Sequence, residues 1–190
     1  MASGNAGKLR EIARLLEGLG VDVVAQTELG VTDADETGTT FAENSLIKAE
    51  HAALATGLPA IADDSGLSVD ALDGAPGVYS ARYAGDAGDE ANNDKLLAAL
   101  DGVEDRGAAF HCVATFVDPA DGEVLVATGE WRGSILHARH GDGGFGYDPL
   151  FFVPDCNCSS AELAPAQKNA RSHRGQALRK LVELIQQKYA

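Results

Sequence analysis

Thr40-Phe41-Ala42-Glu43 and Pro59-Ala60-Ile61-Ala62-Asp63-Asp64-Ser65-Gly66-Leu67-Ser68-Val69 are the two pieces of sequence from which the fold is read. Threonine followed three residues later by glutamate is a capping box, in which each side chain satisfies a backbone N–H of the other residue at a helix start. The helix it opens is predicted to run to about Thr56, where Gly57 and Pro59 stop it. Pro59 to Ala62 then reads as a short apolar strand that ends abruptly at Asp63-Asp64-Ser65-Gly66. Leu67-Ser68-Val69 reads as another strand.

The pattern continues outward in both directions. Toward the N-terminus, Lys8 to Leu19 carries Leu9, Ile12, Ala13, Leu16 and Leu19 on one helical stripe, and Val21 to Ala25 reads as a strand. Toward the C-terminus, Asp89 to Leu100 suits a helix. Ala109 to Val117 alternates, with Phe110, Cys112, Ala114 and Phe116 on one face, as a half-buried strand does. Asp118-Pro119-Ala120-Asp121-Gly122 is a turn, Glu123 to Arg132 returns antiparallel, and Leu150 to Val153 is a short buried strand. Gly175 to Lys188 closes the chain as a helix with Ala177, Leu178, Leu181, Leu184 and Ile185 inward. Early alternation of helix and strand, then a hairpin, gives an α/β fold with a mixed sheet and flanking helices, expected as one domain over residues 1–190.

The composition is that of an ordinary globular chain, 45% hydrophobic and 23% charged over 190 residues. No apolar run approaches the ~20 residues needed to span a bilayer, and the first residues lack the apolar stretch of a secretory signal, so a cytoplasmic protein is expected. The net charge of −14 argues against a nucleic-acid surface, which needs a basic patch. Cys112, Cys156 and Cys158 make no disulfide framework, and Cys156-Asn157-Cys158 has no second ligand pair at zinc spacing.

Four segments carry chemistry. Ser3-Gly4-Asn5-Ala6-Gly7-Lys8 opens a helix; glycines admit a phosphate to the backbone, helix-start N–H groups point at it, and Lys8 adds charge. Its spacing is not that of a Walker A loop. Asp63 and Asp64 project to opposite sides of an extended chain, so one of them can face a site, and a carboxylate there suits magnesium or a water. Glu43 is accounted for by capping, which leaves Glu36 as the partner acid. In Gly141-Asp142-Gly143-Gly144-Phe145-Gly146-Tyr147-Asp148-Pro149, the glycines let the backbone lie against a flat ligand. Phe145 is the stacking candidate, Tyr147 a weaker one, and Asp148 either fixes the loop or accepts from the ligand. Lys168, His173 and Arg174 gather donors near the start of the last helix, Arg174 as a fork and Lys168 as a point charge.

Taken in order, these segments resemble the inosine triphosphate pyrophosphatase family, and its bacterial dITP/XTP pyrophosphatases in particular. The resemblance is carried by Ser3 to Lys8, Glu36-Thr37-Gly38, Phe41-Ala42-Glu43-Asn44, Ala62 to Leu67, Gly74-Ala75-Pro76-Gly77-Val78-Tyr79-Ser80-Ala81-Arg82, Gly143 to Pro149 and Ser172-His173-Arg174-Gly175, across almost the whole chain. It implies hydrolysis of noncanonical purine nucleoside triphosphates (ITP, dITP, XTP) to monophosphate and pyrophosphate, a house-cleaning activity. Ser3, Gly4, Asn5, Ala6, Gly7 and Lys8 would hold the triphosphate. Glu36 and Asp64 would bind Mg2+, Asp64 also serving as general base. Ser65, Phe145, Gly146, Tyr147, Asp148, Lys168, His173 and Arg174 would contact the nucleotide, the last two near the 6-oxo edge of the base. The family's fold implies an elongated molecule with two lobes around a central nucleotide cleft, and its bacterial members imply a homodimer. Ser3 stands where the family has threonine. The family also has an apolar strand before the phosphate loop, where this sequence has Met1-Ala2, so the natural chain is expected to begin several residues earlier.

Overall fold

The computed structural model describes residues 1–2, 9, 12–13, 16 and 20–189. The loop Ser3 to Lys8 lies outside the described residues, as does much of the helix expected over Lys8 to Leu19, of which Leu9, Ile12, Ala13 and Leu16 are seen as helical. The described elements are helix α1 (Phe41–Thr56), strand β1 (Ala60–Val69), helix α2 (Gly88–Ala99), strands β2 (Gly107–Asp118), β3 (Glu123–Ile135), β4 (Phe151–Val153) and β5 (Cys158–Ser159), and helices α3 (Pro165–Arg171) and α4 (His173–Tyr189), with short 3₁₀ turns among them. One five-stranded sheet has the order β1-β2-β3-β4-β5, and β4 pairs antiparallel with both β3 and β5. The α/β class with flanking helices is as expected from the sequence.

Three expectations differ. The acids do not end the strand: β1 runs unbroken through Asp63-Asp64-Ser65-Gly66. Strand continuity is set by the neighbouring strand's ladder, and β2 is long enough to pair along that length. Val21 to Ala25 forms no assigned strand; it is tied to the first residues by Met1 N–H to the Val24 carbonyl at 2.8 Å and Gln26 N–H to the Met1 carbonyl at 2.9 Å. Ala2 N–H donates to the Ile61 carbonyl at 2.8 Å. The helix α3 and the two-residue β5 were not expected.

The chain divides into two compact units, Met1–Asp64, Cys112–Gly129 and Arg174–Ala190 in the first, Ser65–His111 and Glu130–His173 in the second. In the first unit both faces of β2 are covered, which is why its second half is buried throughout instead of alternating. Cys112, Ala114 and Phe116 share a cluster with Ala177, Leu178, Leu181 and Ile185 of α4, the stripe read from the sequence. Val117 shares another with Ala49, Ala52 and Ala53 of α1. Those alanines bring the helix close to the sheet, and Ser45 Oγ donates to Thr115 Oγ1 at 2.8 Å in the same layer. Each fully buried leucine there contributes about 1.5–3 kcal/mol.

The second unit has its own core of Leu67, Val69, Leu96, Phe110, Trp131, Tyr147, Leu150 and Phe151, among others. Arg106, 8% exposed, is buried without an acidic partner among the contacts described: its guanidinium donates to the carbonyls of Leu100, Ile135 and Leu136 at 2.7, 2.7 and 3.0 Å. Hydrogen bonds of this kind make a buried charge tolerable.

Candidate active site

In the first unit the predicted acids converge on one lysine. The capping box forms as read: Glu43 N–H donates to Thr40 Oγ1 at 3.2 Å, and Glu43 Oε2 accepts from Thr40 N–H at 3.0 Å and Thr39 N–H at 2.7 Å. Glu43 is thus committed to the helix end, and the next residue fixes the segment before it, Asn44 Oδ1 accepting from Gly38 N–H at 2.8 Å. Glu36 lies two residues upstream of that anchor. Four residues beyond Asn44, on the same face of α1, Lys48 Nζ lies 2.9 Å from Asp64 Oδ1 and 3.1 Å from Glu36 Oε1.

The two adjacent aspartates separate as their alternation along the strand requires. Asp63 points the other way, is 3% exposed, and holds Arg174 Nε at 3.1 Å. Asp64 is half-buried and faces Lys48, which also holds the exposed Glu36. Burial pushes its carboxyl above the ordinary value, the Lys48 charge opposing and the Glu36 charge adding to the rise. Burial would lower the Lys48 ammonium, but Asp64 and Glu36 more than offset this and hold it above its ordinary value. A carboxylate that binds a proton more readily than usual is better suited to accept one from water.

In the second unit the glycine-rich loop is built around Asp148, 3% exposed. Its Oδ1 accepts from Ser160 Oγ at 2.6 Å, its Oδ2 from Phe145 N–H at 2.8 Å, and Lys168 Nζ pairs with the same Oδ2. Of the two roles left open for Asp148, these contacts describe the one internal to the loop. Gly144, at φ +77, allows this closure, since a Cβ there would stand 2.0 Å from Asp148 Oδ2. Phe145 is 59% exposed and Lys168 Nζ lies 4.8 Å from its ring centroid.

Tyr147 is not presented as a stacking surface. Its ring belongs to the core, 4% exposed, and its hydroxyl donates to the Ser80 carbonyl at 2.8 Å. The Gly74 to Arg82 motif therefore supplies a shelf for Tyr147, and Ser80 Oγ ties that shelf to β1 by accepting from Leu67 N–H at 2.8 Å. His173 is 8% exposed and stacks on Phe110, with ring centroids 4.8 Å apart. Ser65 follows Asp64 on β1, half-buried.

Glu36 and Asp64 are thus brought together in one unit, and Phe145, Asp148 and Lys168 in the other. Lys48 was missed by the sequence reading. Its signal was its place in the helical repeat: a lysine on the same face as Asn44, the side that α1 turns to the core. Among the described residues no three His, Cys, Asp or Glu side chains converge as a ready-made metal cage. Two carboxylates that already bracket a cation do fit magnesium, which takes one or two protein carboxylates and completes its shell with water and substrate phosphates.

The chain is similar to known proteins along nearly its whole length. A model of the Ham1 family matches residues 1–184. The chain is 58% identical over 189 residues to a dITP/XTP pyrophosphatase of Pectobacterium atrosepticum, covering 97% of this chain and 96% of that one. It is 58% identical over 191 residues to the dITP/XTP pyrophosphatase of Vibrio cholerae, covering 98% and 96%. A HAM1 protein from Coxiella burnetii has the same fold at TM-score 0.92, with 49% identity and coverage of 97% and 96%.

Proposed function

The chain belongs to the Ham1 family, and on that premise we propose that it hydrolyses noncanonical purine nucleoside triphosphates (ITP, dITP, XTP) to the nucleoside monophosphate and pyrophosphate. The observation that carries the reading into this structure is the pair Glu36 and Asp64 held on one cation, Lys48.

Glu36 and Asp64 would hold Mg2+. When bound, the ion neutralises phosphate charge and polarises the phosphoryl oxygens. Asp64 aligns the water and takes its proton. The water oxygen bonds to the α-phosphorus, the bond to the bridging oxygen of the β-phosphate breaks, and pyrophosphate leaves. Lys48 adds positive charge beside that carboxylate, and Lys8, with the segment from Ser3, holds the triphosphate. Phe145 stacks on the base. Lys168, fixed by Asp148, and the segment His173-Arg174 supply donors, which pair with a 6-oxo purine and meet repulsion from the 6-amino group of adenine. Sites built on such hydrogen bonds discriminate strongly. The proposal extends to a homodimer working in the cytoplasm; sedimentation measures the first, and among the described residues no helix is long and apolar enough to cross a membrane.

A panel of triphosphates with Mg2+, scored for monophosphate and pyrophosphate by chromatography, tests the function. ITP, dITP or XTP is expected to give both products, with ATP and GTP at least about tenfold lower in kcat/KM, ATP through its 6-amino group and GTP, which shares the 6-oxo edge, through crowding at its 2-amino group. Equal efficiency across purines, or release of single phosphates, would overturn it.

A further inference from the structure

Helix α2 grips the loop that presents Phe145. Gly146 N–H donates to Asp89 Oδ2 at 2.7 Å, and the Gly146 carbonyl accepts from Asn93 Nδ2 at 2.8 Å. The two residues are one turn apart on the same face of α2, and Asn93 Nδ2 also donates to the Asp89 carbonyl at 2.8 Å. Asp89 lies in the first turn, where the positive end of the helix favours a carboxylate. Two carbonyls can be served only by the amide NH2, so the orientation of Asn93 is fixed by its partners. Its Oδ1 is buried and closes no hydrogen bond among the described residues. Asn93 thus acts through its NH2 group, at the cost of leaving that oxygen unserved.

The consequence falls on Phe145. Its own N–H donates to Asp148 Oδ2 at 2.8 Å, and the next N–H, that of Gly146, is held by Asp89. The peptide groups on both sides of the Phe145 Cα are therefore tied. The residue is 59% exposed, so packing alone does not decide where the ring stands. Gly146 sits at φ +61, a conformation in which its N–H and carbonyl both reach α2.

We propose that Asp89 and Asn93 are positioning residues for base recognition, fixing the backbone from which Phe145 offers its ring to the purine. This rests on the reading of Phe145 as the stacking surface. The bond-breaking groups, Asp64 and Glu36, lie in the other unit, so loosening the loop weakens substrate binding and leaves the chemical step alone. Asp89 is exposed, and removing its carboxylate opens no core.

Steady-state kinetics with ITP test this on the wild type, Asp89→Ala, Asp89→Asn, Phe145→Ala and the double variant Asp89→Ala/Phe145→Ala, with Asn93→Ala as a second probe. Asp89→Ala is expected to raise KM about fivefold with kcat within about twofold. Asp89→Asn, whose amide oxygen still accepts from Gly146 N–H, recovers most of the loss. With Phe145 already removed, Asp89→Ala adds less than about 1.5-fold, because positioning has nothing left to act on. An unchanged KM in folded Asp89→Ala, a loss in kcat alone, or the full effect persisting without Phe145 would overturn the inference while wild-type turnover of ITP leaves the function standing. A wild type that does not hydrolyse ITP sinks the function and the inference with it.

Discussion

Lys48 Nζ lies 2.9 Å from Asp64 Oδ1, and the same ammonium stands 3.1 Å from Glu36 Oε1. One helix residue thus keeps the half-buried Asp64 and the exposed Glu36 together. Without a cation in that position the two like charges would repel each other.

This relationship predicts the behaviour of Lys48→Met. The metal-free protein should lose about 2 kcal/mol, the worth of hydrogen bonds to charged groups. For a chain of this size that is roughly 4–8 °C in Tm. Added Mg2+ should then raise the Tm of the variant more than that of the wild type, because ligand binding stabilises by mass action. Thermal melts in chelator and in Mg2+ measure both; equal Mg2+ shifts in the two proteins would show that Lys48 does not stand in for the ion.

Asp64 and Asp63 should separate function from stability. Asp64→Asn keeps the shape and loses the charge, and is expected to cost on the order of a hundredfold or more in kcat with melting little changed. Asp63→Ala leaves Arg174 without the carboxylate that holds it, inside a site where Asp63 is 3% exposed. Breaking such a pair costs about 3 kcal/mol. Activity assays beside denaturant melts check the contrast, and near-wild-type kcat/KM in Asp64→Asn would move the essential role to Asp63 or Glu36.

How far the sequence could be read depended on the range of the interaction. The capping box at Thr40 and Glu43 is local, and both halves formed where the residues predict. The α4 stripe of Ala177, Leu178, Leu181 and Ile185 was legible because periodicity alone names a buried face. Strand β1 was not, since nothing near Ser65-Gly66 records that β2 continues the ladder past them. Exposure of the loop aromatics was half legible: Phe145 stands out, but Tyr147 is taken into the core by Ser80, 67 positions away in sequence. The same distance problem hid Lys48, whose two carboxylates are 12 and 16 residues from it.

Gly144 offers a test of the loop in which no charged residue is replaced. A methyl there would meet Asp148 Oδ2 at 2.0 Å and would also hold an L-residue at φ +77. Gly144→Ala should therefore disturb the Asp148 contacts with Phe145 and Lys168, cost about 1–3 kcal/mol from strained backbone, and raise KM for ITP more than it lowers kcat. Kinetics and melting of the one variant give both numbers; an unchanged KM would remove this loop from substrate binding.

Glu43 gives a pH dependence whose sign follows from its contacts. Hydrogen bonds from the Thr39 backbone, the Thr39 hydroxyl and the Thr40 backbone hold its carboxyl below the ordinary value. A carboxylate with a depressed folded-state pKa binds fewer protons folded than unfolded, so its contribution to stability is complete above the unfolded value, about 4.3, and is lost as the pH falls through the folded one. Glu43→Gln keeps the length of the side chain and can still accept weakly, but it has no charge to titrate. The wild type should therefore melt above Glu43→Gln at pH 6–7 by an amount that stays level down to about pH 5, and the gap should close as the pH drops below about 4. Because Glu43 is assigned to capping and Glu36 to the acid pair, kcat for ITP in folded Glu43→Gln should stay within about threefold of wild type. Parallel melting curves against pH decide the first point and ITP turnover at neutral pH the second. A gap that widens in acid would reverse the sign of the argument, and a hundredfold loss of kcat in a folded variant would make Glu43, not Glu36, the partner of Asp64.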